Sequence, residues 1–221
     1  IAHSTSIIRV MRIDILTLFP EMFAPLRESI IQRAQDKGFV EIKIHNLRDW
    51  STDNHKTVDS PPYGGGAGMV MRVDIIDRAV NDVKSKVKSK KSKVILLDTK
   101  GAVYNQQKAK ELVKEENLIL IAGHYEGVDH RVHEHVVDEV ISIGEFVLTG
   151  GELPVMMVVD SVVRLLPGVL GNENSLVEES YDTPGKIEYP QYTRPEDYNG
   201  WKVPEILLSG HHAKISEWRK S

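Results

Sequence analysis

Glycine recurs in this chain where backbone, not side chains, could do the binding. Gly123 and Gly127 follow the apolar run Leu118 to Ala122, and Gly144, Gly150 and Gly151 follow Val140 to Ile143. In open parallel sheets ligands sit at the carboxyl ends of strands, where a residue without Cβ lets backbone amides approach closely. A single glycine in such a place is most often a tight turn; several at neighbouring strand ends point to a ligand. Neither G-x-G-x-x-G after a strand nor G-x-x-x-x-G-K-[ST] is present, so the dinucleotide fingerprint and the phosphate loop are both excluded. The run Gly64 to Gly68 follows a polar loop instead of a strand and fails the same context test.

Other chemistry-bearing residues are weaker signals. Nucleophilic hydrolysis lacks its residues, because there is no G-x-S-x-G elbow and no cysteine. His130, His133 and His135 invite a metal, but on a helix positions i and i+5 diverge and no H-E-x-x-H is formed, so they are expected on solvated surface. Six lysines between Lys84 and Lys93 read as a solvated helix end and turn. Arg164 lies on an apolar helix with Val158, Val162, Val163, Leu165 and Leu166, where an unpaired guanidinium is costly to bury; it either reaches outward or serves a site. Glu178 and Glu179 fall in an acidic stretch and would ordinarily be solvated.

The elements that would position these residues alternate. Arg12 to Leu18 and Val40 to Leu47 read as strands flanking a helix over Pro20 to Lys37. Helices are expected over Val73 to Lys90, Asn105 to Asn117, from Arg131, and over Val155 to Leu166, with strands at Val94 to Asp98, Leu118 to Ala122 and Val140 to Ile143. Short, continuously apolar strands between helices imply an α/β fold with a parallel sheet covered on both faces. The polar, then Gly- and Pro-rich stretch from Arg48 to Met69 is too long for an idle connection and is a candidate functional loop. After Gly171 the composition turns acidic and loop-like, and an ordered pattern with Tyr189, Tyr192, Trp201 and Leu207 follows.

Composition bounds the rest. The 221 residues can bury roughly 70% of the unfolded surface, enough for one sizeable core and a small appendage. With 41% hydrophobic and 27% charged residues and no apolar run near the ~18 a membrane helix needs, membrane spanning is not expected. The absence of cysteine excludes disulfides and suits a reducing cytoplasm. Residues 1 to 10 lack the apolar core of a signal peptide, and Met11 is read as the native start after a leader. A net charge of -4 argues against gripping nucleic acid by bulk charge, so any RNA contact must be local.

Taken together, seven segments are similar to the bacterial tRNA (guanine-N1)-methyltransferase family of the TrmD type: Leu18 to Phe23, His55 to Asp59 with Pro62 to Met69, Gly123 to Asp129, Ser142 to Pro154, Pro167 to Gly171, Tyr192 to Pro195, and Leu207 to Gly210. They run through almost the whole chain in family order. The resemblance implies a SPOUT-type α/β parallel sheet with a deep trefoil knot, a rare exception to ordinary topology rules. It implies a knotted S-adenosylmethionine-binding domain over 1–170, a linker over 171–187, and a small, mainly helical, tRNA-binding C-terminal domain over 188–221. That last part is read as cut short, since the chain stops at Trp218-Arg219-Lys220-Ser221 where family members continue through further basic helices.

The same resemblance implies a cytoplasmic homodimer whose active site is completed by the second subunit, and methyl transfer to N1 of guanine at tRNA position 37. The donor would contact Gly123, Glu126, Ser142, Ile143, Gly144, Glu145, Phe146, Val147 and Leu148, with Gly150, Gly151 and Pro154 shaping the wall. Magnesium dependence is a family expectation. Guanine N1 carries a proton, so transfer needs a base there and a cation or donor at O6. Arg164 matches the family's arginine for O6, and Glu179 stands where the family has an aspartate base, a methylene longer. His124 stands where members often carry arginine, and His55, Asp59 and Tyr63 are substrate-side candidates. The rival readings are another knotted RNA methyltransferase and a non-catalytic RNA- or nucleotide-binding module.

Overall fold

The structure is a computed structural model and describes residues 10–87, 91–171, 179–183 and 185–219. The expected leader up to residue 9, Lys88, Lys90, and residues 172–178 and 184 of the expected linker, Glu178 among them, therefore lie outside the described residues. In chain order the elements are β1 (Met11–Thr17), α1 (Ser29–Asp36), β2 (Val40–Asn46), β3 (Asp59–Ser60), β4 (Val70–Met71), α2 (Val73–Lys86), β5 (Lys93–Val103), α3 (Gln106–Leu112), β6 (Asn117–Ala122), α4 (His130–His135), β7 (Glu139–Ser142) and α5 (Glu152–Val163). The hairpin β8 (Asp197–Tyr198) and β9 (Trp201–Lys202) follows, then α6 (Glu205–Leu208) and α7 (His212–Trp218). The chain divides into two compact units, Ile1–Glu173 and Asn174–Ser221.

The first unit is an α/β layer structure around a five-stranded sheet in the order β2-β1-β6-β5-β7, every neighbouring pair parallel. Alternating side chains of the central strands feed two cores. Ile13, Ile15, Ile95, Leu118 and Leu120 pack with Phe23, Ile31, Ala109, Val155, Val158 and Val162 on one face. Leu16, Val94, Leu96, Ile119 and Ile121 pack with Ile75, Ile76, Val80 and Val132 on the other. Each fully buried aliphatic side chain contributes about 1.5–3 kcal/mol, and β6, buried at every position, explains why its sequence runs apolar without alternation.

Three boundaries differ from the sequence expectation for identifiable reasons. The helix expected over residues 20–37 is broken: a 3-10 segment covers Pro20–Arg27, Glu28 is extended, and α1 begins at Ser29 with φ +53°. Pro25 lies inside that segment, and its missing N–H and bulky ring forbid a continuous α-helix there. The helix after β5 is shorter than expected, because Asn105 caps it by accepting from the Lys108 amide (2.9 Å) and it ends at Leu112. Strand β5 runs five residues beyond the expected Asp98. It meets β7 twice, with Leu97 opposite Ile141 and then, after a register shift, Ala102 opposite the same Ile141.

At that crossing Gly101 lies against backbone. A Cβ there would stand 2.5 Å from Ile141 N and from Val140 C and O. On the far side of the sheet Asp14 of β1 is wholly buried, with Arg12 Nε at 2.7 Å and His45 Nε2 at 2.7 Å. Burial alone would push its carboxyl up, but the hydrogen bonds from His45 and Arg12 outweigh it and hold the group below the usual carboxylate value.

The second unit holds the hairpin and two short helices. Asn199 and Gly200 form its turn with φ +55° and +84°, and Asp197 Oδ1 accepts from the Gly200 amide (2.8 Å), the chemistry a tight two-residue turn requires. Tyr192 and Trp218 lie 6.4 Å apart, and the Arg219 guanidinium sits 4.7 Å from the Tyr189 ring. Neither α6 nor α7 buries a residue. Among the described residues no helix is long and apolar enough to cross a membrane.

Gly101→Ala should lower stability by roughly 1–3 kcal/mol or more, because the methyl group meets backbone that cannot rotate away. Thermal denaturation of the purified protein should show the drop, and an unchanged melting temperature would mean the crossing is loose.

Candidate active site

Strands β5, β6 and β7 lie side by side, and a cleft opens where β6 and β7 end and β5 turns at Asp98 to Lys100. Its walls are three loops: 97–100 from β5, 123–127 after β6, and 141–151 after β7. The second and third touch through backbone. Gly151 N donates to Gly123 O at 2.7 Å, and a Cβ on Gly151 would fall 2.7 Å from Gly123 N and 2.8 Å from Ala122 Cα. Glycine at 151 is therefore required by close approach, and it leaves one wall made of peptide groups.

The 142–148 loop is shaped by its own polar atoms. Ser142 Oγ donates to Gly144 O (3.0 Å), and Gly144 adopts φ +152° with the Phe146 ring lying back over it, where a Cβ would meet Phe146 Cε1 at 2.5 Å. Gly123, Glu126, Ser142, Ile143, Phe146, Val147, Leu148, Gly150, Gly151 and Pro154 all line the cleft. Gly144 and Glu145 do not; the first serves the turn and the second is exposed.

Beneath the loops Glu152 opens α5 almost fully buried, at 1% exposure. Thr17 Oγ1 donates to its Oε1 (2.9 Å) while accepting from the Phe19 amide (2.9 Å). Its other oxygen lies 3.8 Å from Nδ1 of His124, whose ring packs 4.7 Å from Phe19 and 5.1 Å from Tyr125. A carboxylate in the first turn of a helix is favoured by the unpaired amides there.

The glycine-rich loop rides on this cleft. Glu126 N donates to Met69 O, Met71 N to Gly127 O and Asp129 N to Met71 O, each at 3.0 Å. Gly68, at φ +77°, presses on Glu126, whose Cγ would be 2.5 Å from a Cβ. Upstream, Asp53 gathers its own turn: it accepts from Ser51 Oγ (2.8 Å), the His55 amide (2.8 Å) and the amide and hydroxyl of Thr57 (3.2 and 3.0 Å). These bonds, led by the Ser51 hydroxyl, lower its carboxyl to about 2. Of the substrate-side candidates, His55 is exposed on that turn, Asp59 is half-buried in β3, and Tyr63 is fully exposed.

A match to the family model described as tRNA (Guanine-1)-methyltransferase TrmD covers residues 11–221. The chain is 57% identical over 211 residues to a tRNA (guanine-N(1)-)-methyltransferase of Bacillus pumilus (strain SAFR-032), covering 95% of this chain and 86% of that protein. It is 57% identical over 210 residues to the protein of that name from Bacillus subtilis (strain 168), covering 95% and 86%, and 55% over 211 residues to that of Pelotomaculum thermopropionicum, covering 95% and 84%. The chain belongs to this family.

Membership directs attention to the charged residues outside the cleft wall. Arg164 caps the carboxyl end of α5, half-buried, its amide donating to Asp160 O (3.1 Å). Glu179 belongs to the second unit, half-buried, its carbonyl accepting from the Asp182 amide (3.2 Å).

Several cleft residues escape the sequence reading. Leu97 to Lys100 escape it because an apolar strand is expected simply to end there, although Gly101 after such a strand is the same signal that marks Gly123. Tyr125, at φ +59°, and Thr149 fall within the family-like segments Gly123 to Asp129 and Ser142 to Pro154, but nothing in their own types or spacing marks them as lining residues. The histidines also need correction. His130 and His135 are exposed as expected, but the His133 side chain is only 8% exposed, turned toward Asp98 with Nε2 3.3 Å from Oδ2. Helix α4 is a single short turn and half, and its inner face carries Val132 and His133 together against the sheet. Among the described residues no group of three or more His, Cys, Asp or Glu side chains is arranged to hold a metal ion.

Because Asp53 is held near 2 in the folded loop against about 3.9 in an unfolded chain, its bonds are fully present above about pH 4 and are lost as pH falls through about 2. The protection of the His55 and Thr57 amides, measured against their intrinsic exchange rates, should fall over that window, and Asp53→Ala should remove the same protection at pH 7.

Proposed function

We propose that this chain transfers a methyl group from S-adenosylmethionine to N1 of the guanine at position 37 of tRNA, next to the anticodon. The observation that carries the reading is a family match over residues 11–221 joined to a glycine-backed cleft lined by the segments 123–127 and 146–151, where the resemblance expects the donor. A flat purine and a polar amino-acid moiety suit the surfaces present: peptide groups at Gly123 and Gly151, apolar Leu97, Ile141 and Pro154, and the carboxylate of Glu126. The residues that would hold the donor are Gly123, Glu126, Ser142, Ile143, Phe146, Val147, Leu148, Gly150, Gly151 and Pro154. Bound there, the donor supplies an electrophilic methyl on a sulfonium.

The chain's own groups must make guanine N1 a nucleophile. Glu179 takes the N1 proton, and Arg164 donates to O6 as negative charge develops there, so that the lone pair on N1 is free when the methyl arrives. His55, Asp59 and Tyr63 act on the substrate side, and the second unit contacts tRNA. Magnesium enters as a family expectation. The enzyme is a cytoplasmic homodimer. Apolar side chains left open around the cleft and on α5 support a second copy covering them: Phe146 is 53% exposed, Val147 86%, Leu153 51% and Met157 52%. The double pairing of β5 with β7 about Gly101 supports a knotted chain path.

Wild-type protein should methylate a tRNA transcript with guanine at position 37 and spare one differing only there; methylation of both, or of a ribose hydroxyl, would favour another RNA methyltransferase. Glu179→Gln should cut turnover by roughly two to four orders of magnitude with donor affinity nearly unchanged, while Glu179→Asp retains activity and Arg164→Ala loses it.

A further inference from the structure

Asp98 at the cleft and His133 packed behind it have no part in the transfer just described. Asp98 lines the cleft at the turn within β5, and its Oδ1 accepts from the Lys100 amide (2.9 Å). Its Oδ2 faces His133 Nε2 at 3.3 Å, and the two side chains are 13% and 8% exposed. Buried imidazole nitrogens are ordinarily hydrogen-bonded. Neither nitrogen of His133 makes a bond of good geometry among the described residues, and the group that Nε2 faces is the Asp98 carboxylate. The His130 ring stacks on His133 at 5.0 Å and limits its rotation. The pair joins two elements, since β5 carries the carboxylate and α4 the imidazole behind it.

A carboxylate held at the edge of a partly enclosed site acts on charge within it, and the methyl donor and its product differ in charge. S-adenosylmethionine carries a sulfonium and an ammonium against one carboxylate, a net single positive charge. S-adenosylhomocysteine, left after transfer, has a neutral thioether in place of the sulfonium. The two share adenine, ribose and amino-acid moiety, so hydrogen bonds to those parts cannot tell them apart. Across about 12 Å, at an effective dielectric of about 20 typical of a protein surface, a single charge pair shifts a binding constant on the order of tenfold. Glu126 adds charge of the same sign, whereas Lys100 is exposed and weakened by water and salt. His124, also in the lining, has its own carboxylate in Glu152.

We propose that Asp98, oriented by His133, reads the charge at sulfur and makes the cleft favour the sulfonium donor over the thioether product. Asp98 is thus a binding residue that assists product release, and His133 is its positioning residue. The inference rests on the methyl-donor reading above.

Calorimetry of the full chain with S-adenosylmethionine and with S-adenosylhomocysteine tests it. Asp98→Asn keeps size and the acceptor for the Lys100 amide, so the turn is preserved. It should weaken the donor by on the order of tenfold and leave the product within about twofold. His133→Phe keeps the ring volume and should move the donor-to-product affinity ratio the same way by a smaller factor, a change that mere loosening of the fold would not produce. Equal weakening of both ligands by Asp98→Asn, as for a hydrogen bond to the shared ribose, or no change in either, overturns the proposal. An unaltered ratio in His133→Phe overturns the positioning role. Wild-type protein that binds neither ligand would overturn the methyl-donor reading itself, an outcome distinct from a failed ratio.

Discussion

The contact between Gly151 and Gly123 is the constraint on which the cleft depends. At 2.7 Å from amide to carbonyl it draws the loops after β6 and β7 together, and neither a side chain nor a water can stand between them. Everything placed around it follows. Glu152, the next residue, is driven inward at the start of α5 and finds Thr17 at the end of β1, so the wall of the cleft is tied to the central strands. His124, next to Gly123, is turned toward that same carboxylate and packed between Phe19 and Tyr125. A side chain at position 151 would separate the loops and disturb all of these contacts at once.

A second close approach, at Gly101, determines which residues reach the cleft at all. Because β5 passes β7 twice, the segment from Leu97 to Lys100 is thrown out as a turn beside the two glycine loops instead of ending as an ordinary strand terminus. Asp98 and, behind it, His133 enter the site through this crossing. The parallel sheet tolerates the crossing because its neighbours are buried on both faces and its pairing resumes at Ala102 in a new register.

Polar groups in the first unit are organised in two ways. Asp14 and Glu152 are buried and satisfied by specific partners, so they hold strands and helix starts in place. Asp53 is exposed and works by gathering backbone amides, which gives order to a loop that has almost no apolar anchor apart from Val58. The tie from Met69 and Met71 to residues 126–129 then couples that loop to the cleft by three backbone bonds, and the glycine at 68 permits the contact with Glu126.

What the sequence determined by itself was set by local periodicity and by glycine position. The apolar runs of β5, β6 and β7 can only be buried strands, which makes the fold α/β, and glycines immediately after them mark backbone-lined loops. The motifs in family order carried the activity, because each reports side-chain types that do not depend on knowing the path between them. Tertiary structure decided the rest. Pro25 broke a helix that periodicity alone made continuous. The extension of β5 through Gly101, the entry of Leu97 to Lys100 into the cleft, and the burial of His133 against Asp98 all arise from contacts between residues some forty apart, which no local pattern encodes. Gly144 and Glu145, adjacent in sequence to cleft residues, stand off it because a turn bonded by Ser142 points them elsewhere. Spacing along a chain measures what neighbours can do; which distant backbone they lie against is a property of the packed sheet.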